Sequence, residues 1–218
     1  METKERTLTD LQLRQLSHDK VYHPDIYNLP PQHKLRHYVL HYAKYVGRIV
    51  EAGERNDVDL FKLTMIDTFI ITLAAANLVG AKMFFITEKG GELHPDDSTL
   101  KNVIDAIDMP PEEQLTFFNK ENRLLECDGY HDVAHLMAIV TGELASAVEK
   151  LDHMENGLAD NKLLISKLSK LLSTCARAFA FLGNSDPSEY IVARWGAIER
   201  NSIFYEHFNS KNSIEPED

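Results

Sequence analysis

Chemistry in this chain is concentrated first at an aspartate set inside a helix of almost unbroken apolar residues. Between Asp59 and Gly80, residues Leu60, Leu63, Ile66, Phe69, Ile70, Ile71, Leu73, Leu78 and Val79 surround the helix axis, the pattern of a helix central in a bundle. Asp67 falls on the line of Leu60, Leu63, Ile71, Ala74 and Leu78, so its carboxylate is expected to be buried. A buried carboxylate must find a cation, a metal ion or several donors, or take up a proton. Two readings stay open: a structural partner from a neighbouring helix (lysine, arginine or a tyrosine hydroxyl), or a functional site. Asn77 is the second polar residue in this helix, and it either reads a ligand's hydrogen-bonding edge or satisfies a neighbouring backbone group.

A second concentration lies on the helix before it. His33, His37, His41, Lys44, Arg48, Glu51 and Arg55 share one stripe, opposite Leu35, Tyr38, Val39, Tyr42, Val46 and Ile49. Lys44 and Arg48 suit phosphates, the arginine as a two-pronged donor and the lysine as a point charge. A solvated helix face would show the same stripe. The histidine spacing of four would let two imidazoles share a metal, but no acidic residue is interleaved among them.

Glu143 sits at the edge of an apolar face built by Leu136, Met137, Val140, Leu144, Ala147, Val148 and Leu151, free to turn to a cavity or to water. His131-Asp132 superficially matches the metal dyad of HD-type phosphohydrolases. It follows the turn Asp128-Gly129-Tyr130, however, so Asp132 reads as a first-turn acid favoured by the helix dipole. Cys127 and Cys175 read as small apolar fillers, and there is no Walker loop, G-x-G-x-x-G or G-x-S-x-G.

The elements that must position these residues are helical nearly throughout. Helices are expected at about Thr9–Lys20, Pro31–Arg55, Asp57 or Asp59 to Gly80, Ser98–Asp108, Pro110–Glu126, Asp132–Glu155, Ala159–Gly183 and Pro187–Phe208. The segment VYHPDIYNLPPQ reads as an irregular loop, and AKMFFITEKGGELHPDD as a connector with room for brief strand. The Ala159–Gly183 helix reads as a surface helix, with Leu164, Leu168, Leu171, Leu172, Cys175 and Phe179 inward and Ser166, Lys167, Lys170, Ser173, Thr174 and Arg177 outward.

The 218 residues carry 23 basic and 34 acidic side chains, a net charge of −11, with 44% hydrophobic and 26% charged residues. That composition belongs to a folded globular chain and argues against general nucleic-acid binding, although a local basic stripe can still hold a small anion. Two cysteines make no disulfide framework. The charged start METKERTLTD lacks the apolar core of a secretory signal, and the longest apolar stretch is interrupted by Asp67, Thr68, Thr72 and Asn77, so a cytoplasmic, non-membrane protein is expected.

The chain also reads as a diverged repeat. Tyr45-Val46-Gly47-Arg48-Ile49-Val50 aligns with Val140-Thr141-Gly142-Glu143-Leu144-Ala145, each helix ending in E-x-x-D. Each is followed by a second helix closing on a hydrophobic-Gly pair, Leu78-Val79-Gly80 and Phe181-Leu182-Gly183. The expected fold is all-α, a bundle of two diverged helical hairpins with peripheral helices. Residues 1–108 form the first half, 109–208 the second around a shared core, and 209–218 a flexible tail.

Val140-Thr141-Gly142-Glu143-Leu144-Ala145-Ser146-Ala147-Val148 resembles the "gEl-x-x-A" helix of the MazG-like all-α nucleoside triphosphate pyrophosphohydrolases. Leu63 to Asn77, with an aspartate in an apolar run and an asparagine further on, is similar to that family's following helix. The resemblance implies a helical bundle, often dimeric or internally doubled, whose carboxylates hold Mg²⁺ against a triphosphate. Water attack then releases pyrophosphate and a nucleoside monophosphate.

Carried over by position, it makes Asp67 and Glu143 metal ligands and a nucleotide or other small phosphorylated molecule the ligand, with a homodimer possible; Lys44 and Arg48 would then meet the phosphates and Asn77 the ligand's hydrogen-bonding edge. The family's other acids are replaced. Of that family's E-E-x-x-E, Ile139 and Val140 precede Glu143 in place of acids and Lys44, Tyr45 and Arg48 stand there in the first half; of its following E-x-x-D, Thr64 replaces the Glu before Asp67, and Lys170 stands opposite Asp67 in the second half. Two functions therefore follow: a divergent Mg²⁺-dependent pyrophosphohydrolase, or a non-catalytic descendant that binds a nucleotide or a protein partner, its cations neutralising phosphate in place of metal.

Overall fold

The structure, a computed structural model, describes residues 7–83, 85–86, 92–93, 100–101, 129–152, 161–183, 187–203 and 205–207. The helices expected at Pro110–Glu126 and over most of Ser98–Asp108, Cys127 and the tail 209–218 lie outside them. Three helices precede the apolar one. Helix α1 (Leu8–Tyr22) opens on a reciprocal cap, in which the Thr7 hydroxyl accepts from the Asp10 amide and the Asp10 carboxylate accepts from the Thr7 amide, each at 3.1 Å. The loop expected next contains a helical turn, α2 (Pro24–Tyr27). Pro24 sits at its first position, where a missing N–H costs nothing, so this proline starts a turn instead of blocking one. Helix α3 (Pro31–Arg55) has the limits read from the sequence.

Only two residues join α3 to α4 (Val58–Leu78). Asn56 takes a left-handed conformation, φ 53°, ending one helix, and the Asp57 carboxylate accepts from the Leu60 amide at 2.9 Å to begin the next. A two-residue β1 (Phe85–Ile86) pairs antiparallel with β2 (Glu92–Leu93) inside the expected connector. Then come α5 (Tyr130–Asp152), α6 (Asn161–Phe181) and α7 (Ser188–Arg200). The all-α class holds. Helix α3 packs on α4 and α5, and α6 on α4 and α5, so the four long helices share one core. The descent of the two hairpins from one repeat is an expectation from sequence alone. No described helix is long and apolar enough to cross a membrane.

Helix α4 is buried on nearly every side. Its three threonines avoid the cost of lone hydroxyls by bonding back one turn: Thr64 to the Leu60 carbonyl, Thr68 to Thr64 and Thr72 to Thr68, at 2.7 to 2.8 Å. Helix α6 departs from the surface helix expected of it. Ser169, Ser173 and Thr174 are buried because α6 is covered by both α4 and α5, and Ser173 and Thr174 bond back in the same way. Helix α7 docks through Trp195, fully buried, whose indole N–H donates to Gln15 Oε1 of α1 at 2.6 Å.

Candidate functional site

Asp67 is 6% exposed, as its apolar surroundings require. Its partner is Arg194 of α7, which donates from Nε to Oδ1 at 2.6 Å and from Nη2 to Oδ2 at 2.9 Å. This two-pronged bond uses the planar fork of the guanidinium. Arg48 of α3 stands 4.0 Å from the same carboxylate. Asp67 nonetheless borders a cavity of about 470 Å³ between α1, α2, α3, α4 and α7. His37, His41, Lys44 and Arg48 line it from α3, with Ile70, Ile71 and Ala74 of α4 and Ile198 of α7 as apolar wall. A second cleft of about 570 Å³ adjoins it, sharing His23, Asp25, Arg194 and Ile198.

The α3 stripe is therefore divided: His33 is exposed, and Arg55 pairs with Glu51 at 2.7 Å, while the residues between face the cavity. Burial, then the charge of Lys44, lowers His41 to a pKa of about 4, so its imidazole is neutral at pH 7. Its Nδ1 lies 3.2 Å from the Lys44 ammonium and 3.0 Å from the Tyr45 hydroxyl, and the one lone pair of that nitrogen in a neutral ring protonated at Nε2 can accept from either. His37 and His23 are lowered too, chiefly by burial. Lys44 also falls below the usual lysine value, through burial first and then through Arg48 beside it, with Asp67 opposing. Arg194 is raised, principally by its bond to Asp67.

The charged groups that act on Lys44 are Arg48, Asp67 and Arg194; Asp19 and Asp25 act on His23, and His37 feels Lys44 and both aspartates. Lys44, Arg48 and Arg194 surround Asp67, and with Asp19 and Asp25 the described lining of the cavity carries three cations and three carboxylates.

The residues named from sequence are only partly brought together. Lys44, Arg48 and Asp67 meet on one cavity. Glu143 does not: it is an exposed residue of α5 and pairs with Lys167 of α6 at 2.6 Å. Asn77 is taken by α1, donating to the Gln12 backbone carbonyl at 3.0 Å and accepting from the Gln12 side-chain Nε2 at 3.1 Å. Of its two readings, the backbone partner is the one the structure has. His131 is exposed and Asp132 stands in the first turn of α5, away from the cavity. Cys175 is a buried filler whose thiol burial pushes up.

These residues do not fit a magnesium centre. Both Asp67 oxygens are bound by Arg194, Glu143 is not on the cavity, and the neighbours of Asp67 are cations where an Mg²⁺ site needs several oxygen donors. Sequence reasoning missed Arg194, His18, Asp19 and His23. The H-D-x-x-x-H spacing at 18–23 was a readable signal, and the pairing of Arg194 with a residue 127 positions away was not. Compared with known proteins, the chain matches no family model, no curated protein and no solved structure.

Proposed function

We propose that the chain binds a nucleotide, or another small phosphorylated molecule, in the cavity beside Asp67, with cations instead of magnesium meeting the phosphates. One observation carries this reading: Lys44, Arg48 and Arg194 gather around Asp67 on the cavity, which Asp19 and Asp25 line as well. Like charges held together at a partly buried wall raise the energy of the empty site, and an arriving anion relieves that repulsion. Arg194 is fixed by Asp67. Lys44, resting on a neutral imidazole and the Tyr45 ring instead of a carboxylate, is free to turn to a ligand. The volume is in the range of small-molecule sites, and Ile70, Ile71 and Ala74 offer an apolar surface to a base.

The resemblance to MazG-like pyrophosphohydrolases supports a nucleotide over other phosphates. The loss of its metal carboxylates favours the binding descendant over the hydrolase. A cytoplasmic location and a homodimer belong to this proposal, resting on composition and resemblance.

Thermal unfolding tests it, with nucleoside mono-, di- and triphosphates in EDTA and in Mg²⁺, for the native chain and for Arg48→Ala. A ligand at a hundred times its Kd adds about 2.7 kcal/mol, roughly 5–10 °C for a chain this long. The expected result is a shift in EDTA that shrinks in Arg48→Ala, without pyrophosphate release. Turnover dependent on Mg²⁺ would restore the hydrolase, and no shift with any nucleotide would remove the site.

A further inference from the structure

The same cavity has an acidic, histidine-rich end that the phosphate reading leaves unused. His18 of α1 is 4% exposed, and neither ring nitrogen has a hydrogen-bond partner. A buried imidazole with both nitrogens unsatisfied is costly, since at least one of them carries a proton and the other a lone pair or a second proton. Two carboxylate oxygens approach it, Asp19 Oδ1 at 3.9 Å from Nδ1 and Glu199 Oε1 at 3.9 Å from Nε2, both too far for a hydrogen bond.

His23 brings a second imidazole, its ring centroid 5.5 Å from that of His18. One ligand atom each from His18, Asp19 and His23 lie within 4.8 Å of one another. We propose that His18, Asp19 and His23 bind a divalent transition-metal ion of the zinc class.

Three features favour it. Two imidazoles and one carboxylate are donors suited to borderline ions such as Zn²⁺ rather than to Mg²⁺. The separations are near those required: tetrahedral zinc, with bonds of about 2.1 Å, sets its ligands about 3.4 Å apart, so small side-chain rotations close the set.

The surrounding bonds orient the carboxylate as well. The Trp195 indole N–H can only donate, so it holds Gln15 Oε1 toward itself and turns the Gln15 amide N–H onto Asp19 Oδ1, at 2.7 Å. His23 stands at the corner between α1 and α2, its backbone N–H bonded to the Asp19 carbonyl at 3.0 Å. All three residues line the cavity, so a position left open on the ion would be reached from it. This site does not depend on the phosphate reading and is tested without any nucleotide.

The full chain, stripped of metal by a chelator and dialysed, would be titrated with Co²⁺ and the ligand-field absorption followed, then with Zn²⁺ in competition. The expected result is one equivalent bound, with intense four- or five-coordinate bands that Zn²⁺ removes. Asp19→Asn and His23→Gln should each weaken binding roughly a hundredfold, while His33→Gln, exposed and away from the cavity, leaves it unchanged. If either variant fails to fold, the native spectrum decides. A weak, six-coordinate aqueous spectrum at one equivalent overturns the proposal. So does tight binding that both variants retain, which would place the ion on other histidines.

Discussion

Asp67 gives up its hydration to sit within α4, and Arg194 compensates through two charge-assisted bonds. Removing one partner of a fully buried pair costs about 3–5 kcal/mol, and because Arg194 is 27% exposed a smaller loss of about 2–3 kcal/mol is expected for Asp67→Asn. Urea unfolding would read it as a lower midpoint with an unchanged slope. Arg48→Ala touches the pair only at 4.0 Å and should change stability by less than about 1 kcal/mol.

His41 makes a pH prediction at the same scale. Its folded pKa, about 4, lies below the unfolded value of 6.5, so the unfolded chain binds more protons between them. The stabilisation is complete above the unfolded value and is lost as pH falls from about 6.5 toward about 4. His41→Gln should flatten that part of the curve of unfolding free energy against pH. An unchanged slope would mean that His41 is not held neutral.

Among the elements, the glycines separate what the sequence could and could not say. Gly80 and Gly183, which close the second helix of each half, have φ of 66° and 65°, a conformation that side chains with a Cβ resist. Their match has a physical reason. Gly47 and Gly142, the matched glycines inside α3 and α5, have none: a Cβ there would meet nothing within 4 Å. Gly47→Ala and Gly142→Ala should each stabilise the chain, by up to about 1 kcal/mol through helix propensity alone, and a loss in either would show that the glycine has a packing or ligand role.

Element limits were legible where a local device sets them, as with Pro31 starting α3 and Asp57 capping α4. The burial of α6 was not, because Ser173 and Thr174 satisfy themselves on their own helix and so look polar in sequence while being apolar in effect.

Across the whole molecule, what the sequence withheld is long-range. Asp67 could be expected to be buried from its own helix. That Arg194 would reach it, and that α1 and α7 would close the cavity, depends on Trp195 seating against Gln15 across 180 residues. Periodicity carries no information about such pairings. For the same reason Glu143 and Asp67, expected as metal ligands from opposite halves of the chain, do not meet on one cavity here, and the α3 stripe, which a solvated face would also show, lines a cavity along part of its length. If α7 completes the site, Trp195→Ala should cost about 3–5 kcal/mol and loosen the cavity together with the fold.

The central claim is that Lys44, Arg48 and Arg194 take a phosphate-bearing anion without a metal. Calorimetric titration of a nucleoside triphosphate into the full chain in EDTA, beside the Lys44→Ala/Arg48→Ala double variant, tests it most directly. The account predicts one site per chain in EDTA and an affinity lower by roughly ten- to a hundredfold in the variant, the worth of one charged hydrogen bond or more. Binding that appears only with Mg²⁺, or that the double variant keeps in full, would contradict it.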